Sequence, residues 1–319
     1  MDKQKYKRMV IIIPCLNEEE VLQNTHGELY NLLLKLINEN LIHPDSIICY
    51  IDDGSRDNTW EIIKTLCLKN SNATGIKLSR NFGHQNAIIA GLESMVGTSD
   101  FAITIDADLQ DDITKIPEMI QAYNNGSEIV FGIRSSRTQD KFIKKITAGL
   151  FYKTLSLIDD GIIPDHADFR LMSKKAISSL LSHNEYNIYL RGIVSKLGFQ
   201  TSKVYYARKK RLSGETKYPF KKMLSFALDG VFSHSVRPLR KLLIFSCIII
   251  ILSCFYTLYI FYIKFVTGTA IPGWTSIVLP IIILGNLQII AIGLLGEYLA
   301  KVIMDVKRRP RYIIDEKIN

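Results

Sequence analysis

Cysteine is scarce and unpatterned in this 319-residue chain: Cys15, Cys49, Cys67, Cys247 and Cys254 form no Cys-x-x-Cys pair and have no histidine at metal-ligand spacing. This argues against a zinc ribbon or a disulfide framework, and five buried thiols in a reducing compartment are expected. A glycine-rich turn is missing after the first apolar run, where the chain reads Pro14-Cys15-Leu16-Asn17-Glu18-Glu19-Glu20. Dinucleotide-dependent redox enzymes need glycines there so that the backbone can approach a pyrophosphate, so NAD or FAD chemistry is not expected. A signal peptide is not expected either, because the basic start MDKQKYKR runs into VIIIP, too short for its apolar core. Acidic excess is absent as well: the net charge is +9, and the surplus of Lys and Arg lies after residue 130. Such a balance suits a membrane surface, anionic substrates or nucleic acid. The cations flank apolar runs and do not interleave with aromatics, which ranks nucleic acid last.

What is present is an alternation of strands and helices. Met9–Ile13, Ile47–Ile51, Gly75–Leu78, Phe101–Ile105 and Ile129–Phe131 are short, β-branched-rich and apolar at almost every position. A strand with one wet face would alternate, so these are expected to be covered on both sides. Between them Val21–Asn40 places Val21, Leu22, Leu29, Leu32, Leu33, Leu36 and Ile37 at helical spacing, and Thr59–Lys69, Gln85–Val96 and Ile113–Asn124 are further helix candidates. The alternation predicts an α/β fold with a doubly wound, mostly parallel sheet. Ligands of such sheets bind beyond the carboxyl ends of the strands, so the residues after each strand carry the functional reading.

Three regions are expected: 1–133 as the ligand-binding half of the α/β domain, 134–236 as a second, acceptor-side half, and 237–319 as a membrane hairpin with a basic tail. Within the second, the run KFIKKITAGLFYKTLSLI sets Phe142, Ile143, Ile146, Leu150 and Phe151 against Lys141, Lys144, Lys145 and Lys153. It reads as a basic amphipathic helix on a membrane surface or as a surface helix packed on the core. Leu242–Ile263 is a charge-free run long enough for a bilayer core, and Ile277–Leu295 is a second run interrupted by Pro280, Asn286 and Gln288. Those polar groups call for a helical partner. Arg237, Arg240 and Lys241 precede the first run, and Lys301, Lys307, Arg308, Arg309 and Arg311 follow the second. The positive-inside bias therefore predicts that both ends face the cytosol.

Two acidic motifs follow strands. Asp52-Asp53-Gly54-Ser55 can accept hydrogen bonds from a base or ribose, or can be an ordinary turn and helix cap. Asp106-Ala107-Asp108-Leu109-Gln110 follows the apolar FAITI. In an extended segment alternate residues share a face, which would aim Asp106, Asp108 and Gln110 into one cleft. Carboxylates that close repel unless a cation lies between them, and oxygen ligands of this kind suit Mg²⁺ or Mn²⁺.

PCLNEEE, IDDGSRDNT and DADLQDD, in that order and spacing, resemble the GT-A fold of family 2 glycosyltransferases. LSRNFGHQNAI, the run Asp168-Phe169-Arg170-Leu171-Met172-Ser173, GETKY and the ending LGEYLAKVIMDVKRRPRYII extend the resemblance to the polyprenyl-phosphate glycosyltransferases, nearly end to end. The bacterial glucosyl or N-acetylglucosaminyl branch fits better than the dolichyl-phosphate mannose synthases, because both DFRLMS and the hairpin are present. One departure is Asp112, where many relatives have proline.

The resemblance implies a direct, inverting displacement that moves a sugar from a nucleotide-sugar to polyprenyl phosphate at the cytoplasmic membrane face. It assigns the nucleotide-sugar to Pro14, Leu16, Asn17, Glu18, Asp52, Asp53, Arg80, Asp106, Ala107 and Asp108. Asp106, Asp108 and Gln110 would hold Mg²⁺ or Mn²⁺. Arg134, Arg137, Arg170, Arg211, Ser213 and Lys217 would line the lipid phosphate, with Asp106, Asp108, Asp168 and Arg170 as the catalytic set. A homo-oligomer, tetrameric in relatives, is also implied. The rival readings are a processive polysaccharide synthase, which would show a QxxRW-like motif and more spans, and a non-catalytic scaffold, which would not keep both acidic motifs intact.

Overall fold

The computed structural model describes residues 6–134, 166–183, 189–207, 255 and 274–318. The chain divides into two compact units, Met1–Pro219 with Pro310–Asn319, and Phe220–Arg309.

The first unit is built on β1, Met9–Cys15, in which every residue is buried. Alternate side chains of this strand go to opposite layers: Ile11 and Ile13 join one core cluster, Val10 and Ile12 the other. That double burial is why the strand reads as an unbroken apolar run. On the first face lie α1, Leu22–Asn38, α2, Thr59–Lys69, and α4, Ile116–Asn124. Leu22, Leu29, Leu33 and Leu36 of α1 fall on one stripe and are fully buried. The second face takes α3, His84–Met95, α5, Lys174–Leu181, and α6, Leu190–Lys196. Ser173 starts α5 by accepting a 3.1 Å bond from the Ala176 amide, the usual way an orphan N–H of a first turn is satisfied.

The sheet has eight strands in the order β7-β5-β6-β4-β1-β2-β3-β8. The central block of β4, Phe101–Thr104, β1, β2, Ile47–Asp52, and β3, Ala73–Leu78, is parallel, as the sequence predicts. Beyond it the sheet changes direction. β6, His166–Ser173, runs antiparallel to β4 and to β5, Ile129–Arg134, while β7, Thr201–Tyr206, is parallel to β5. The motif DFRLMS is thus a strand, and it brings Asp168 and Arg170 alongside the end of β4. At the other edge β8, Ile314–Ile318, pairs antiparallel with β3, so part of the expected basic tail is sheet.

The second unit contains α7, Trp274–Val306, which carries Pro280 and the second apolar run of the sequence. Ile277, Ile281, Ile292, Leu295 and Leu299 on it are exposed. Among the described residues no helix is long and apolar enough to cross a membrane. The side chains of α7 are described in part, and the first run, 242–263, lies outside the described residues except for Phe255. The proposed surface helix at 141–158 lies outside them as well.

Candidate active site

The loops after β1 and β2 are knitted together by their own polar residues. Asn17 adopts φ 53°, its amide donates to Ser55 Oγ at 3.0 Å, and its side-chain oxygen accepts from the Arg56 amide at 2.8 Å. The Glu18 amide donates to Thr59 Oγ1 at 2.9 Å, and Glu19 accepts from the Asn58 amide at 3.0 Å. Pro14 is buried in β1, whereas Leu16 beside it is exposed. Glu19 thus ties one loop to the next.

Asp52 and Asp53 are both buried, and the reasons differ. Asp53 Oδ1 accepts from the Phe82 amide at 2.7 Å and Oδ2 from the Gly83 amide at 3.0 Å, which clamps the chain just ahead of α3. Asp52 Oδ1 accepts from the Ser55 amide at 3.2 Å, while its Oδ2 is buried with no hydrogen-bond partner among the described residues. Burial raises both carboxyl pKa values, and the amide bonds pull them partly back. Gly54 between them and Ser55 has φ 68°, and a Cβ there would lie 2.5 Å from the Arg80 carbonyl carbon. Only glycine lets the two loops approach this closely. Arg80 packs its guanidinium 4.0 Å from the Phe82 ring.

The second acidic motif is a turn, not an extension of β4. The strand ends at Thr104, residues 107 and 108 turn, and Leu109 has φ 47°. Strand alternation is therefore not what groups these residues, a correction forced by the left-handed backbone at Leu109. Thr25 Oγ1 of α1 holds the turn by donating to the Ala107 carbonyl at 2.6 Å, and Asp108 Oδ1 accepts from the Gln110 amide at 3.3 Å. Gln110 is buried. Asp106 Oδ1 is buried with no hydrogen-bond partner among the described residues, and burial raises its pKa, with neighbouring carboxylates adding to the rise and His84 opposing it.

His84 links this turn to β6. Its Nε2 lies 3.5 Å from Asp106 Oδ1 and 3.5 Å from Asp168 Oδ2. Burial would lower the His84 pKa, yet the bond to Asp168 and the two negative charges outweigh it and raise the value. Asp168 Oδ1 accepts from Arg170 and, at 3.3 Å, from Arg191 Nε; its Oδ2 accepts from Arg191 Nη2 at 2.8 Å. Its carboxyl is held well below the usual range: burial opposes ionisation, but Arg191, His84 and Arg170 together dominate. Thr104 Oγ1 donates to the Asp168 carbonyl, which locks β6 to the end of β4. Arg170 is 1% exposed and donates through Nη1 to the Leu190 carbonyl at 3.4 Å. Placed so, it belongs to the interior of the site.

Arg134 Nη2 donates to Asp111 Oδ1 at 3.1 Å, and Tyr206 Oη donates to the same oxygen at 2.5 Å. This ties β5 and β7 to the segment after the acidic turn. Arg137, Arg211, Ser213 and Lys217 lie outside the described residues. His84, Asp111, Arg191 and Tyr206 are the site residues that the sequence reading did not assign. The first two sit inside quoted motifs, whereas Arg191 and Tyr206 carry no motif signal.

Among the described residues no group of three or more His, Cys, Asp or Glu is gathered as a metal site. The residues nevertheless fit a divalent cation that takes the rest of its shell from waters and phosphate oxygens: Asp106 Oδ1 is an orphaned buried acceptor, and Asp108 is two residues away on the same turn.

Strand-end loops bound to one another, an acidic turn after β4 and an antiparallel β6 beside it gather at the carboxyl ends of the central parallel strands. The model of glycosyl transferase family 2 matches residues 10–181 of this chain. The chain belongs to that family. Among its relatives is the uncharacterised glycosyltransferase YkoT of Bacillus subtilis, 44% identical over 313 residues, covering 98% of this chain and 93% of that protein. A prophage bactoprenol glucosyl transferase homologue of Escherichia coli is 34% identical over 308 residues, 96% of this chain and 98% of that one. The bactoprenol glucosyl transferase of Shigella phage SfX is 34% identical over 313 residues, 97% and 99% respectively. Among solved structures, a mannosyltransferase from Pyrobaculum calidifontis in complex with GDP-Man and Mn²⁺ superimposes with a TM-score of 0.50 at 14% identity, covering 73% of this chain and 65% of that one. The transferase thus has the GT-A glycosyltransferase fold, and its clustered residues follow the carboxyl ends of the parallel strands, where ligands of α/β sheets bind.

Proposed function

We propose that this glycosyltransferase moves a sugar, glucose or N-acetylglucosamine, from a UDP-sugar to polyprenyl phosphate at the cytoplasmic membrane face, with inversion at the anomeric carbon. The observation that carries this reading is the end-to-end similarity to bactoprenol glucosyl transferases together with an acidic turn whose Asp106 Oδ1 accepts no hydrogen bond among the described residues. The two apolar runs with cationic flanks support a membrane-held acceptor, and a homo-oligomer is part of the proposal.

A lipid phosphate oxygen is already anionic at neutral pH, so the attack needs no strong base. The oxygen–C1 bond forms as the bond from C1 to the diphosphate breaks, and the nucleoside diphosphate leaves with the electron pair. When bound at Asp106 and Asp108, Mg²⁺ or Mn²⁺ would supply Lewis-acid stabilisation of that leaving group. Asp168 is a poor proton acceptor, because two guanidiniums and His84 hold it ionised. Its task is to orient cations beside the turn. Asp52, Asp53, Asn17 and Glu18 shape the nucleotide edge, with Asp53 acting through the loop it clamps. Arg134, Arg137, Arg211, Ser213 and Lys217 are assigned to the acceptor side.

The test is incubation of purified full-length protein with undecaprenyl phosphate and a panel of nucleotide-sugars, reading the lipid product by mass spectrometry. One sugar should be transferred in a single β linkage. Asp108→Asn should lower turnover by at least ~100-fold, the loss expected when stabilisation of a leaving group is removed. Wild-type-like turnover in that variant would remove the metal role, and no lipid product with any donor would overturn the acceptor.

A further inference from the structure

We infer that Arg191, a residue of α6 outside every recognised motif, is the cation that grips a phosphate group of the substrates, with Asp168 and Arg170 as the buried frame that aims it. This rests on the glycosyltransferase reading of the site and adds a binding residue to it.

Asp168 is one carboxylate, and it meets two guanidiniums and an imidazole. Arg170 alone suffices to neutralise it: that side chain is fully buried, and it also donates to the Leu190 carbonyl. Arg191 is thus a second guanidinium on an already neutralised carboxylate, and it sits where His84 joins the cluster to Asp106. Once Asp106 is engaged by a divalent cation, as the proposed function has it, this second guanidinium is the charge that a phosphate would balance.

Geometry then separates the two arginines. The Arg170 side chain is 1% exposed and the Arg191 side chain 35% exposed. Arg191 bonds Asp168 through Nε and Nη2, which fixes the guanidinium plane, and Nη1 has no partner among the described residues. A guanidinium pinned along one edge, on a side chain that keeps a third of its surface exposed, has its donor direction set before any ligand arrives, so little rotamer entropy remains to be lost on binding. The backbone beneath it is held from both sides. The Leu190 amide donates to Gln85 Oε1 at 2.9 Å, and the Leu190 carbonyl accepts from Arg170. Gln85 belongs to α3, as does His84, so one helix start supports both the link to Asp106 and the seat of Arg191.

The ligand chemistry is a phosphate oxygen. Two groups in the reaction carry one, the diphosphate of the donor and the monoester of the acceptor. The experiment compares full-length wild type, Arg191→Gln and Arg191→Lys. Binding of UDP with Mn²⁺ is measured by calorimetry, and KM and kcat for polyprenyl phosphate are measured in the transfer assay. Losing one charge-assisted bond should weaken the affected phosphate by roughly 10- to 100-fold, with Lys recovering part of the loss. A weakened UDP constant assigns the donor diphosphate; a raised KM with UDP binding intact assigns the acceptor. A merely structural arginine would instead lower the melting temperature and kcat while leaving both constants unchanged, and that result overturns the inference. The UDP arm needs no lipid acceptor. If wild type binds UDP but makes no lipid product, the proposed acceptor fails while the role of Arg191 at the diphosphate remains decidable.

Discussion

Asp168 and Asp53 show how one residue type takes opposite electrostatic roles in a single site. Asp168 is buried among cations that hold its pKa below the ordinary range, while Asp53 is buried against neutral amides and its pKa rises. The signs follow for stability. Asp168 contributes above its unfolded pKa, and the contribution is lost as pH falls through its depressed folded value. Asp53 is the reverse: its contribution is present below the unfolded value and lost as pH rises through the raised one. Asp168→Asn strands Arg170, a fully buried guanidinium whose own pKa burial already lowers. Breaking a buried ion pair from one side costs about 3–5 kcal/mol. Urea unfolding should show that loss at neutral pH, with the gap widening toward mildly acidic pH because His84 loses in the variant the partner that favours its charged form. The gap should close only below about pH 4, where carboxylates ordinarily protonate. A gap that closes near pH 6 would contradict the depressed carboxyl.

At the scale of elements, the decisive pieces are the strands that run against the parallel block. β6 is the element that carries acid and base side chains to the end of β4, and its register, with Arg170 opposite Thr104, sets their depth. β8 is the other such piece. It covers the β3 edge, Trp60 Nε1 donates to Glu316 Oε2 at 3.0 Å, Thr74 Oγ1 donates to the Ile318 carbonyl, and Tyr312 Oη donates to Glu93 Oε2 at 2.6 Å. Deleting residues 310–319 should therefore lower the melting temperature and expose an unpaired edge, which templates association. Scanning fluorimetry and light scattering read both effects. An unchanged melting temperature with no gain in scattering would show β8 to be an adornment of the sheet.

For the whole molecule, the division into two units pairs a GT-A domain with a second unit that holds the long helix α7. The proposed membrane attachment makes a physical prediction. A chain anchored by buried apolar helices resists salt and alkali, because neither weakens the transfer of hydrocarbon surface from water. The full chain should stay in the membrane pellet through a high-salt wash and an alkaline wash and be released by detergent. Release by salt would instead mark an electrostatic association through the basic surplus.

The parallel block and the acidic strand ends were legible because local pattern encodes them. An unbroken apolar run such as Met9–Ile13 fits only a strand covered on both faces, and parallel strands put their carboxyl ends on one edge, so DDGS and DADLQ had to share it. The outer strands were not legible, since a six-residue strand such as β7, with Thr201, Lys203 and Tyr205 exposed, carries too little hydrophobic pattern. Nor was the partner of any charge. Asp168, Arg170, His84 and Arg191 come from β6, α3 and α6 and meet only because the sheet brings these elements together. A side chain's neighbours across a fold leave no periodic trace along the chain, so the tertiary structure alone decided which arginine is buried and which faces out.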